Sequence, residues 1–158
     1  MKIINQISVK NLKSKYVSNN HPSILIDGIP LDIMLDELYP DGFLLGLIPT
    51  IVDWISLMDE RRLVEQACDM NDEVKIMPVL MCPDDCDLSC TVIVAEVETS
   101  NKFVKWNRLG IDKNNPRELI EKNMFLETGV EWLDKVPKLF FSKESYRCIE
   151  RIYKHMEL

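Results

Sequence analysis

Three stretches in the middle of the chain constrain its fold more than any other feature. Val74 to Met81 (VKIMPVLM), Thr91 to Glu98 (TVIVAEVE) and Phe103 to Arg108 (FVKWNR) are rich in β-branched and aromatic residues. Such residues suit a pleated, half-buried surface. Strands consecutive in sequence usually pair, so the three read as adjacent antiparallel strands. Pro78 cannot donate to a ladder, which places it at an edge or a bulge.

The flanking segments read as helices and shorter strands. Residues 2–9 suit a first strand, and the polar stretch from Asn11 to Pro22 reads as a loop. Ile24 to Ile26 is a short apolar run closed by the turn signal Asp27-Gly28. Pro30 suits a helix start. Leu31, Met34, Leu35 and Leu38 then fall on one helical face, and Pro40 with Asp41-Gly42 ends that helix. Pro49-Thr50 opens what reads as the longest helical region, with Thr50 as N-cap. Its stripes, Ile51/Trp54/Ile55/Met58 and Leu63/Val64/Ala67, are out of phase. They predict two helices, or one kinked helix, meeting near residues 59–62. Pro116 starts a further helix. Ser142 caps a last one, with Tyr146, Ile149, Tyr153 and Met156 on one face. The segments from Phe43 to Ile48 and from Val130 to Val136 fit no template. The expected fold class is α+β: an antiparallel sheet of at least three strands with helices packed mainly on one face.

At 158 residues, with no repeat and no dividing linker, the chain is expected to be a single domain, 1–158. No apolar run approaches the roughly 20 residues of a membrane span. The first residues do not resemble a signal peptide, so a cytoplasmic location is expected. The five cysteines are odd in number and three are bunched, which favours reduced thiols.

The net charge of −7 is unevenly distributed. Residues 1–26 carry four lysines and no acid. Residues 27–98 carry 17 acids against three bases, and residues 99–158 carry 12 bases against nine acids. An acidic centre repels phosphate backbones and anionic membranes and attracts cationic surfaces. Nucleic acid and membrane are therefore disfavoured as partners, and a basic protein is favoured. Asp36, Glu37, Asp41, Asp59, Glu60, Asp84, Asp85 and Asp87 are the candidate partner-binding residues. The plain alternative is a solvated face that keeps the protein soluble.

The densest chemistry lies in Cys82-Pro83-Asp84-Asp85-Cys86-Asp87-Leu88-Ser89-Cys90, between two of the strands. Its thiols are spaced x3 and x3, with no histidine nearby. Zinc sites need four tetrahedral ligands, so a fourth would have to be Cys68, Cys148 or a loop carboxylate. The favoured reading packs Cys82 and Cys90 as small hydrophobes and uses the aspartates as turn caps. No metal or cofactor is expected. A cysteine nucleophile would need His21 or His155 as base, and nothing in the sequence brings either to a thiol. No phosphate loop, dinucleotide fingerprint or hydrolase motif is present. Glu96 and Glu98 share a strand face and read as its wet side. Trp54, Trp106 and Trp132 read as core or rim anchors. No catalytic residue is assigned, and the chain is expected not to be an enzyme.

Several stretches carry a resemblance. They are Leu25 to Leu31, Gly46 to Thr50, Pro78 to Asp85, Cys90 to Glu98 and Val104 to Gly110. Over about residues 24–112 the chain resembles a group of small, uncharacterised bacterial proteins of the kind found beside polymorphic and contact-dependent toxins. That resemblance implies an immunity protein that binds and neutralises a basic toxin domain, in many such systems a nuclease. It carries over no functional residue. The alternatives are a small metal-binding module on the Cys82/Cys86/Cys90 loop, or an enzyme whose site is assembled only in the fold.

Overall fold

The computed structural model describes residues 4–69 and 74–154. They form an α+β fold built on two antiparallel sheets. The smaller sheet contains β1 (Ile7–Leu12), β2 (His21–Ile26) and β3 (Ile29–Pro30), in that order. Strand β1 runs three residues past the sequence expectation, because Lys10, Asn11 and Leu12 pair with Ser23, Pro22 and His21. The loop is correspondingly shorter. Asp27 and Gly28 both take positive φ, 51° and 82°, which is the hairpin turn their sequence suggests.

Helix α1 (Leu31–Leu38) follows directly, with Leu31 and Leu35 buried and Met34 and Leu38 packed at the margin of the core. The expected face is the observed one. Strand β4 (Ile48–Pro49) then opens the larger sheet.

The long helix expected from Pro49 does not form. Pro49 pairs with Leu80, and Thr50 is no N-cap, since its Oγ1 donates to the Pro78 carbonyl at 2.9 Å. A 3-10 turn, Val52–Trp54, precedes α2 (Met58–Ala67). The two stripes do mark two elements, but the break falls at residues 55–57 rather than 59–62. Arg61 holds it by donating to the carbonyls of Ile55 and Asp53.

The central strands β5 (Val74–Met81), β6 (Val92–Thr99) and β7 (Phe103–Asp112) pair in sequence order as expected. The β5–β6 register slips between Pro78 and Leu80, so the proline sits at a bulge. Strand β7 extends four residues past the expected Arg108. Its last three residues pair with β8 (Val130–Trp132), and its first four with β9 (Leu139–Ser142). Gly110 permits the first of these contacts. A Cβ there would stand 2.8 Å from the Glu131 carbonyl oxygen and 2.9 Å from the Trp132 ring.

Helix α3 (Pro116–Lys122) carries Pro at its start, with the Asn115 side chain accepting from the Arg117 amide. Ser142 caps α4 (Lys143–Tyr146), which continues through a 3-10 turn into α5 (Glu150–Tyr153). Tyr146, Ile149 and Tyr153 are buried as expected, while Met156 and His155 lie outside the described residues. One buried cluster runs from Ile7 to Tyr153 and includes both sheets. No described helix is long and apolar enough to cross a membrane.

Candidate functional site

The loop between β5 and β6, residues 82–91, folds against the start of α2. Leu88 is 5% exposed and plugs the loop into the core. Its amide donates to the Glu60 carboxylate at 2.6 Å. Asp87 shapes the next turn by accepting from the amide and hydroxyl of Ser89, a local use of aspartate that its short side chain favours.

Glu60 therefore differs from the sequence expectation. It is 4% exposed and presents no free carboxylate to a partner. Its position on the first turn of α2 points it inward, where it satisfies a buried donor. Burial pushes its carboxyl pKa up, the Leu88 hydrogen bond opposes this, and the nearby Asp87 charge adds to the rise.

The other acids are placed as follows. Asp59 is exposed beside Glu60, and Asp84 and Asp85 are exposed on the loop. Asp87 is partly exposed. These four and Glu60 belong to one junction of loop and helix. Asp36, Glu37 and Asp41 lie on and just after α1, which packs on β2 and β3. Among the described residues, none of the eight acids forms a salt bridge. The bases of the C-terminal third pair with Glu96, Glu98, Glu118, Glu127, Glu131 and Glu150 instead. Glu96 and Glu98 are thus paired with Arg108 and Lys105, their neighbours across the β6–β7 ladder.

The thiols do not converge on a cation. Cys86 takes φ 49° and donates to the Pro83 carbonyl at 3.4 Å. Cys82 lies against the core margin, near Cys90 and Asp84, and burial raises its pKa. Cys90 is exposed, not packed as expected. Cys68 and Cys148 turn to the carbonyls of Glu65 and Ile7. No group of three or more His, Cys, Asp or Glu side chains among the described residues is arranged to hold a metal ion.

The tryptophans divide as core and rim. Trp106 is buried and donates to the Tyr146 hydroxyl at 3.0 Å. Trp132 lies under the Arg108 guanidinium at 3.8 Å. Trp54 stands partly exposed, edge-on to His21. His21 is buried among serines rather than beside a cysteine, an arrangement that only the β1–β2 pairing creates.

Comparison with known proteins finds no matching family model, no matching curated protein and no matching solved structure.

Proposed function

We propose that the protein is a binding protein of the immunity type, which neutralises a basic toxin domain through the acidic junction of the 82–91 loop and the start of α2. The observation that carries this reading is a contrast in charge pairing. Asp59, Asp84, Asp85 and Asp87 have no described cationic partner, whereas the six glutamates that bridge all lie from Glu96 onward. Unpaired charge on an anchored loop steers a cationic partner and offers it fixed acceptors. A toxin that grips phosphates would be blocked by such a face. Asp36, Glu37 and Asp41 form a second acidic stretch that a large partner can also reach.

The test is association with the products of the neighbouring genes, basic toxin domains first, measured at low and high salt. The reading requires a stable complex whose association rate falls steeply as salt rises. It further requires that Asp84→Asn with Asp85→Asn slows that rate. The absence of any complex with neighbouring gene products defeats it.

A further inference from the structure

His21 opens β2 and is 2% exposed, and the acidic junction makes no use of it. Its Nδ1 faces two oxygens, the Pro22 carbonyl at 3.0 Å and Ser23 Oγ at 3.2 Å. A carbonyl can only accept. The Ser23 hydroxyl donates its own hydrogen to the His21 carbonyl at 3.3 Å, leaving a lone pair toward the ring. In the neutral ring Nδ1 therefore carries the hydrogen, and Nε2 is an acceptor. Nε2 lies 3.1 Å from Ser14 Oγ, which donates to it. The Ser14 hydrogen is thus committed to the imidazole, and Ser14 Oγ offers its surroundings only lone pairs.

Those surroundings are a cavity of about 270 Å3, walled in part by Ile24, Leu31 and Leu47. Lys13 and Lys15 also line it. Asp32 lines it too, with its carboxylate held by the Gly46 amide at 2.9 Å. A hydroxyl that binds an anion aims its hydrogen at that anion, and Ser14 does not. A hydroxyl polarised by an imidazole acceptor, with that imidazole oriented by a third group, is instead set to attack an electrophile. The aliphatic walls suit a short hydrocarbon chain.

We propose that Ser14 and His21 form a nucleophile–base pair that takes an acyl group from a small carboxylic ester with a short aliphatic acyl chain. Ser14 Oγ attacks the ester carbonyl carbon as its hydrogen passes to Nε2. The Pro22 carbonyl holds the Nδ1–H of the resulting imidazolium. The tetrahedral adduct then loses the alkoxy oxygen, which departs as an alcohol carrying the hydrogen from Nε2. The acyl group stays as an ester on Ser14. Water gives a proton to Nε2 and attacks that ester, releasing the carboxylic acid. The hydrogen on Nε2 then returns to Ser14 Oγ.

The test uses the full chain with p-nitrophenyl butyrate and, separately, with an alkyl fluorophosphonate. Acid quench during the burst should trap one butyryl group per chain, and the fluorophosphonate should leave one phosphonyl group, each mapped by peptide mass to Ser14. A burst of p-nitrophenolate should match the protein concentration. Ser14→Ala abolishes both signals, and His21→Gln slows acylation at least about 100-fold. Should His21→Gln fail to fold, the burst rate of the unaltered chain in deuterium oxide replaces it, with slowing expected. No adduct at Ser14, adducts at other sites only, or a burst indifferent to both His21→Gln and deuterium oxide overturns the proposal.

Discussion

The Glu60 carboxylate accepts the Leu88 amide hydrogen at 2.6 Å across 28 residues of sequence, and this one contact ties the acidic loop to α2. Its two functions, acceptor and charge, can be separated by substitution. Glu60→Ala leaves the Leu88 amide buried without a partner, at an expected cost of about 1–3 kcal/mol. Glu60→Gln keeps an acceptor and removes a buried charge beside Asp87, so it should stay within about 1 kcal/mol of the parent. Urea unfolding of the three proteins distinguishes these outcomes.

The raised pKa of Glu60 also fixes a sign for pH. The folded state holds this proton more tightly than the unfolded chain, where the carboxyl titrates at its ordinary value of 4.5. The Glu60 contribution is therefore most favourable below that value. It declines as pH rises to the folded-state pKa and is constant above it. The stability difference between the parent and Glu60→Gln should follow that course. A difference that grows more favourable to the parent with rising pH would contradict the burial argument.

Neutralising the loop should cost the fold little. Asp84 and Asp85 are exposed and form no described salt bridge. Asp84→Asn with Asp85→Asn is expected to change unfolding stability by no more than about 0.5 kcal/mol. The same pair should slow association with a basic toxin domain about tenfold at low salt. Stopped-flow association and thermal melting of one preparation check both halves.

The five thiols should react in an order set by exposure. Cys90 is exposed and reacts first with Ellman's reagent. Cys68 is pushed up to about 11, chiefly by burial, so at pH 8 almost none of it is thiolate and it should react slowly. Because the thiols do not converge, purified protein should hold less than one equivalent of zinc, and a chelator should leave the melting temperature unchanged.

Trp106 and Tyr146 form a polar contact inside the core, with both residues 1% exposed. Burial raises the Tyr146 pKa far above its ordinary value, so the hydroxyl stays neutral throughout the working range. Tyr146→Phe removes the acceptor for the indole N–H and should cost about 1–3 kcal/mol in urea unfolding, with a change in tryptophan emission.

The central strands were legible because each is a run of β-branched, aromatic and apolar residues of strand length. Pro78 was legible as an edge or a bulge, since it has no amide to give, and the structure makes it a bulge. The helix expected from Thr50 was not. Ile51 and Ile55 are spaced as a helical stripe, yet they are buried around a 3-10 turn, because Pro49 is drawn into a pairing with Leu80 that no local pattern reveals. The acidic segment could be counted, but not sorted. Asp59 and Glu60 are neighbours of the same charge, and only the docking of Leu88 makes one of them interior. The Ser14–His21 contact was hidden for a similar reason. It depends on β1 continuing to Leu12, through residues whose polarity reads as a loop.

The Pro78 carbonyl has a further consequence. Freed from the regular ladder by the bulge, this oxygen accepts hydroxyl hydrogens from Thr50 at 2.9 Å and Tyr153 at 2.8 Å. A discontinuity in a sheet commonly marks a place where the structure gives way. Here it is a clasp shared by three distant parts of the polypeptide. Loosening of the last helical turn and breathing of the central hairpin should therefore occur as one event, and their amides should exchange with solvent at matched free energies.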